Sequence, residues 1–312
     1  MDLARALLFH TREYAGLAAE LTAATGCVRG ELEQRLFPDG ERYLRVLSPV
    51  RDRDAIILCG TTSDAATLDL FDLACGLVKE GARSLTMVVP FLGYSTMERQ
   101  VKSGEVVVAK TRARLLSAIP SAPNGNRIAL LDLHADGVAY YFEGGLVPIH
   151  LYAKTVVLKA IAQLGGGETF AVGSVDAGRA KWVESLANDL GVAASFILKR
   201  RKSARETEVV ALSHAVGGAR VVIYDDMVRT GGSLLGAARA YLDAGAKDVA
   251  AVCTHGVFPE DSLKRLKDSG LITRIISTNS HPGAAAAPGA AGFLDVWSCA
   301  PVLVDFLRTL SA

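Results

Sequence analysis

The chain has 312 residues, half of them hydrophobic and 21% charged, with a formal net charge of +1. That length fits about two domains of ordinary size, and the composition favours packed cores over disorder. The near-zero charge argues against a broad basic surface for nucleic acid, and no apolar run approaches the roughly 20 residues of a membrane-spanning helix.

Along the chain, short apolar runs alternate with longer amphipathic stretches. Ala55–Cys59, Leu85–Phe91, Arg127–Leu133, Thr169–Val175, Ala194–Leu198, Arg220–Tyr224, Val249–Thr254 and Ile272–Thr278 read as strands. Their near-continuous Val, Ile and Leu content suits strands buried on both faces, as in a parallel sheet. Asp64–Lys79, Val106–Ile119, Ala177–Leu190, Ser233–Ala244 and Glu260–Lys267 read as helices, with Gly81, Gly191, Gly245 and Gly270 placed to stop them. This alternation predicts an α/β architecture. Pro120–Asn126 and Pro282–Gly292 read as loops. Cys27, Cys59, Cys75, Cys253 and Cys299 form no CxxC pair and read as free thiols in a reducing compartment. Asp2, Arg5 and Arg12 interrupt the N-terminus too early for a secretory leader. The expected location is the cytoplasm.

Each half holds an apolar strand that ends in polar groups: Leu130-Leu131-Asp132-Leu133-His134 in the first, Val222-Ile223-Tyr224-Asp225-Asp226 in the second. Ligands of open α/β sheets bind beyond the carboxyl ends of strands, so both loops lie where chemistry is expected. The boundary is expected near 145–155, dividing the chain into 1–148 and 149–312. The strongest motif is Val221–Ser233, VVIYDDMVRTGGS. Its glycines let backbone approach an anion, and the helix that follows offers unpaired N–H groups to a phosphate. Asp225 and Asp226 are placed to accept hydrogen bonds from sugar hydroxyls. An ordinary capped strand–helix turn with surface acids is the plainer reading.

This segment resembles the phosphoribosyl-binding loop of type I phosphoribosyltransferases, and the whole chain resembles the ribose-phosphate diphosphokinases. The resemblance rests on Phe37-Pro38-Asp39-Gly40-Glu41, Val89-Pro90-Phe91-Leu92-Gly93-Tyr94, Asp132-Leu133-His134-Ala135, Asp176-Ala177-Gly178, Lys199-Arg200-Arg201, the loop above and Thr254-His255-Gly256-Val257-Phe258, in that order. It implies two tandem phosphoribosyltransferase-like domains, each a mainly parallel sheet flanked by helices. It implies transfer of the diphosphate of ATP to ribose 5-phosphate with Mg²⁺, in a homo-oligomer (dimer or hexamer), without nucleic acid or membrane.

By resemblance, Lys199 and Arg201 are the catalytic pair, in a polar stretch, KRRKSARETE, without helix or strand periodicity. A cationic loop there would close over a triphosphate; the plainer reading is a solvated charge run. Asp225, Asp226, Arg229, Thr230, Gly231, Gly232 and Ser233 would hold ribose 5-phosphate. His134 and Asp176 would hold or orient Mg²⁺, with His134 also at ATP; imidazole is an unusual Mg²⁺ ligand, and His134 as a core histidine is the plainer alternative. Phe37, Asp39 and Glu41 would contact adenine across a subunit interface, with Arg99 also on ATP; a PDG turn between two strands explains that segment without a ligand. Common family members carry Arg-Gln where this chain has Thr96 and Met97, and an acid where it has Arg229. Two rivals remain: a phosphoribosyltransferase that consumes phosphoribosyl diphosphate, and a non-catalytic regulatory subunit.

Overall fold

The computed structural model describes residues 1–201, 207–287 and 291–311, with the side chains of 198–201 and 207–211 left undescribed. The chain divides into two compact units, Met1–Tyr152 with Ala300–Ala312, and Ala153–Cys299.

The first unit runs β1 (Leu7–His10), α1 (Ala15–Thr25), β2 (Val28–Arg29), β3 (Leu32–Leu36), β4 (Arg42–Val46), β5 (Asp54–Leu58), α2 (Asp64–Lys79), β6 (Ser84–Val89), α3 (Val108–Ser117), β7 (Asn126–Leu131) and β8 (Leu146–Leu151). The second runs α4 (Lys154–Gly165), β9 (Phe170–Ser174), α5 (Ala180–Leu190), β10 (Ala193–Ser195), β11 (Ile197–Arg201), β12 (Thr207–Leu212), β13 (Arg220–Val228), α6 (Gly232–Asp243), β14 (Asp248–Gly256), α7 (Ser262–Asp268), β15 (Ile275–Thr278), α8 (Pro282–Ala286) and β16 (Leu294–Trp297). Helix α9 (Ala300–Thr309) ends the chain.

The two main sheets have one plan. The first has order β2-β1-β5-β6-β7-β8, the second β10-β9-β13-β14-β15-β16. Counted from each unit's first strand, the orders are identical, and every pairing in both is parallel. Each unit also inserts an antiparallel hairpin at the same point in the order, β3–β4 in one and β11–β12 in the other. Even the ion pairs at the entry ends of the central strands recur with reversed polarity. Asp54 opens β5 and pairs with Arg83 beside β6, whereas Arg220 opens β13 and pairs with Asp248 at the start of β14.

The reason for sheet formation is visible in burial. All five residues of β5 are buried, as are all but the first of β14, because helices cover both faces of each sheet. Each unit has its own core. Phe9, Ile57, Leu70, Leu77, Met87 and Leu130 are among the residues of the first, and Val221, Ile223, Tyr241, Val249, Leu266 and Ile275 among those of the second. Helix α2 shows how local sequence sets a helix. Ser63 caps it by accepting the Ala66 N–H, Asp64 and Lys79 suit the two ends of its dipole, and Ala66, Leu70, Leu73 and Leu77 bury one stripe.

Several expectations shift. Residues 300–312 join the first unit rather than the second, because α9 buries Leu303, Val304, Phe306 and Leu307 and packs on α1 and β8. Residues 194–198 divide into the end of β10 and the start of β11. The KRRKSARETE stretch, a loop by its sequence pattern, instead completes β11 with its first three residues. That strand pairs with β12 from Ile197↔Leu212 to Arg201↔Thr207, with a register shift between Leu198 and Lys199. The expected loop 282–292 begins with the short helix α8. All five cysteines are free thiols, and burial pushes Cys59 and Cys253 up to about 12.

Candidate active site

The site assembles at the carboxyl end of the second unit's sheet. β13 pairs with β9 only as far as Tyr224↔Ser174, but with β14 as far as Val228↔Gly256. Asp225 and Asp226 therefore stand just past the end of β9, beside the turn that leaves it. Asp226 is 3% exposed and forms an ion pair with Arg179 of that turn, Nη2 to Oδ1, at 2.6 Å. Its N–H donates to Asp225 Oδ1 at 3.1 Å. Burial, then the charge of Asp226, pushes the Asp225 carboxyl well above the usual carboxylate range. Burial works against the charge of Arg179, yet Asp226, Tyr224 and Asp225 hold its pKa above the usual value. The acids thus share one hydrogen-bonded arrangement with a built-in cation, unlike a pair of solvated surface carboxylates.

The chain then turns through Arg229, Thr230 and Gly231 into α6. Arg229, Thr230, Gly232 and Ser233 are exposed, and Gly231 is buried with φ +80°. A Cβ on Gly231 would lie 2.7 Å from Leu266 Cδ2, so glycine is required by both backbone and space. Among the described residues, no side chain caps α6. Its first N–H groups are left for an anion, and the helix dipole favours one there.

Asp176 is exposed at the start of the turn after β9. Its Oδ1 accepts the Gly178 N–H at 2.8 Å, and its carbonyl accepts Ser174 Oγ at 2.6 Å. Tyr241 of α6 reaches under this turn. Its hydroxyl accepts the Ser174 N–H at 3.1 Å and lies 2.7 Å from the Ser195 carbonyl.

In the first unit, His134 is half-buried in the turn after β7. Asp132, buried at 5% exposure, takes a left-handed φ of +40° to start that turn. His150 of β8 braces it: Nε2 accepts the Leu133 N–H at 2.9 Å, which leaves the ring proton on Nδ1, 3.3 Å from Asp136 Oδ1. The Phe37–Glu41 segment is the turn between β3 and β4. The Phe37 N–H donates to the Glu41 carbonyl at 2.8 Å and Asp39 Oδ1 accepts the Glu41 N–H at 3.1 Å. Phe37 is 41% exposed and lies edge-on to Tyr43 at 6.2 Å. Arg99 is exposed and paired with Glu98 at 3.4 Å.

The structure thus brings Asp225, Asp226, Arg229, Thr230, Gly231, Gly232 and Ser233 to one end of one sheet, with Asp176 on the neighbouring turn. His134, Arg99, Phe37, Asp39 and Glu41 belong to the first unit. Lys199 and Arg201 lie in β11, and their side chains fall outside the described residues. Three residues escaped sequence reasoning: Arg179, Tyr241 and His150. Arg179 alone left a local signal, as a cation three positions beyond a strand-end acid. A cleft of about 610 Å³ lies in the first unit, lined by His10, Arg12, Arg29 and Gln34 among others, and none of the expected site residues lines it.

Among the described residues, no three or more His, Cys, Asp or Glu side chains gather as a metal cage. Magnesium is commonly held by one or two carboxylates, with water and substrate phosphates completing its shell. An exposed carboxylate such as Asp176 fits that mode.

Comparison with known proteins agrees with this geometry. The N-terminal domain of ribose phosphate pyrophosphokinase matches residues 6–119, and the phosphoribosyl transferase domain matches residues 154–290. A ribose-phosphate pyrophosphokinase of Fusobacterium nucleatum is 31% identical over 269 residues, 85% of this chain and 82% of that protein. The chloroplastic ribose-phosphate pyrophosphokinase 2 of Spinacia oleracea is 31% identical over 89% of this chain and 70% of its own length. The crystal structure of phosphoribosylpyrophosphate synthetase from Mycobacterium smegmatis superposes with a TM-score of 0.86 at 27% identity, covering 98% of this chain and 99% of that one. With both domains matched and the similarity running through nearly the whole length, the chain belongs to the ribose-phosphate pyrophosphokinase family.

Proposed function

We propose that the protein transfers the β,γ-diphosphate of ATP to the anomeric hydroxyl of ribose 5-phosphate, giving phosphoribosyl diphosphate and AMP. The observation that carries this reading is the end of β13: two adjacent carboxylates, Asp226 buried and Asp225 half-buried, with Arg179 paired to Asp226, followed by a glycine loop and an uncapped helix. Asp225 and Asp226 accept the ribose hydroxyls. The N–H groups at the start of α6, with Thr230, Gly232 and Ser233, take the 5-phosphate, and Arg229 adds a cation to the same loop. Gly231, with its left-handed φ and no room for a Cβ beside Leu266, makes the turn that leads into those N–H groups.

A new bond forms between the anomeric oxygen and the β-phosphorus, and the bond from that phosphorus to the α-phosphate oxygen breaks, releasing AMP. Positioning and charge neutralisation supply most of the acceleration in reactions of this type. Asp176 would hold Mg²⁺, and His134, braced through its turn by His150, would orient the ATP phosphates. The ion held there would supply positive charge to offset that of the phosphates. Lys199 and Arg201 neutralise the charge that develops on the transferred group. Phe37, Asp39 and Glu41 serve the adenine of a neighbouring subunit in a homo-oligomer, dimer or hexamer, and Arg99 contacts ATP. The exposure of Leu36 at 72% and Phe37 at 41% on the hairpin supports that assignment. The reading places the protein in the cytoplasm, without nucleic acid or membrane partners; among the described residues no helix is long and apolar enough to cross a membrane.

The test is Asp225→Asn with Asp226→Asn. The double variant should raise KM for ribose 5-phosphate by about 10-fold or more while KM for ATP stays close to wild type. Unchanged KM and turnover would remove both acids from the site.

A further inference from the structure

The turn that carries Asp176 and the strand that carries Asp225 and Asp226 are not held together by the sheet. Their last shared pairing is Tyr224↔Ser174, and beyond it the backbones part. A side chain spans the gap. Arg179 closes the turn, three residues after Asp176, and reaches Asp226 Oδ1 at 2.6 Å, with the two side chains 20% and 4% exposed. From there the order passes on: the Asp226 N–H holds Asp225 Oδ1 at 3.1 Å. It also passes back, since Asp176 Oδ1 accepts the Gly178 N–H and its carbonyl accepts Ser174 Oγ, which ties the turn to the end of β9. A desolvated ion pair gives little net stability over apolar packing of the same volume. Its use here is geometric: a guanidinium has a planar fork that fixes a carboxylate in direction as well as distance.

We propose that Arg179 is a positioning residue for sugar binding, setting Asp226, and through it Asp225, in register with the turn that presents Asp176. Arg179 touches neither substrate nor metal in this role. It acts on the acids, so its loss is felt as weaker ribose 5-phosphate binding, with less effect on ATP. The proposal rests on the reading that these acids hold the ribose.

The test compares wild type, Arg179→Gln, Arg179→Lys, Asp226→Asn and the double variant Arg179→Gln/Asp226→Asn in steady-state kinetics with ATP, Mg²⁺ and varied ribose 5-phosphate. Thermal unfolding of each variant is recorded in parallel. Arg179→Gln should raise KM for ribose 5-phosphate by about 10- to 100-fold, as for loss of a charge-assisted hydrogen bond, with KM for ATP within about twofold. Arg179→Lys keeps the charge without the fork and should fall between. The double variant should match Asp226→Asn alone, since the two residues act as one unit. The double variant also removes both charges, so it stays interpretable if Arg179→Gln alone does not fold. Two results overturn the proposal: Arg179→Gln, or Arg179→Lys if the former is unfolded, with KM within about twofold of wild type, or a double variant worse than Asp226→Asn by the full factor for Arg179→Gln. If wild type itself makes no phosphoribosyl diphosphate, the reading of the acids fails first; if wild type is active and only the Arg179 effects are missing, Arg179 alone is misassigned.

Discussion

Gly231 and Gly236 lie five residues apart on the same loop and helix, yet alanine at each should have opposite consequences. Gly231 holds φ at +80°, where an L-residue costs roughly 1–2 kcal/mol. Its new Cβ would also sit 2.7 Å from Leu266 Cδ2 and 2.8 Å from Cγ. Leu266 is fully buried, and pushing a core leucine aside costs about 1–3 kcal/mol. Gly231→Ala should therefore destabilise the second unit by about 2–5 kcal/mol and lower its Tm by roughly 5–20 °C. Gly236, exposed within α6, has nothing within 4 Å of the position a methyl group would take, and its backbone is ordinary helix. Gly236→Ala should stabilise the unit by about 0.5–1 kcal/mol. Thermal unfolding by circular dichroism measures both. KM for ribose 5-phosphate adds a functional reading, and it should rise for Gly231→Ala only, because the phosphate loop must shift to admit the methyl. Equal stability of the two variants, or a Gly231→Ala enzyme with wild-type Tm and KM, would refute the left-handed start of α6 and its role in holding phosphate.

Other outcomes follow from the braces around the site. Arg220 grips Asp248 with Nε at 2.6 Å and Nη2 at 2.9 Å, and this hydrogen bonding lowers the Asp248 pKa below its usual 3.8. The folded state therefore gains stability that is fully present above pH 3.8 and is lost as pH falls through that value towards the folded pKa. Asp248→Asn should cost about 1–2 kcal/mol at neutral pH and flatten the acid limb of a stability–pH curve; a limb of unchanged slope would count against the pair. Tyr241→Phe leaves the backbone groups of Ser174 and Ser195 short of a partner, so it should cost about 1–3 kcal/mol in urea unfolding, and a neutral result would remove the hydroxyl as a brace. Lys199→Ala should lower turnover by on the order of 10²-fold with little change in ribose 5-phosphate binding, and a variant with near-wild-type turnover would discard the catalytic role of Lys199.

What could be read from sequence follows the range of the forces involved. The strands buried on both faces, such as β5 and β13, announce themselves because their burial demands a continuous apolar run. Edge or short strands do not: β2 has only Val28 and Arg29, both exposed, and β8 contains Pro148. The hairpin β11–β12 was not legible because its pairing is made by the backbone ladder, which the polar run from Lys199 does not signal by alternation. Residues 300–312 follow the second unit in sequence but bury their apolar stripe in the first, and only tertiary packing decides that. At the site, the carboxylate pair and the glycine loop were legible since a strand, a turn and a helix start are consecutive in sequence. Arg179, Tyr241 and His150 were not, because each takes its role from a partner on another element, 47 positions away for Arg179 and Asp226. The sheet order shared by the two units was likewise beyond reach, although the recurrence of strand-end polar groups in each half pointed towards it.

The most direct measurement of the central claim is chromatographic quantification of products from ATP, ribose 5-phosphate and Mg²⁺, run with and without inorganic phosphate and with EDTA as the metal-free control. AMP and phosphoribosyl diphosphate in equal amounts, abolished by EDTA, is the expected result, and the response to phosphate would show how the enzyme is activated. A folded protein that forms neither product under any of these conditions would contradict the diphosphokinase assignment.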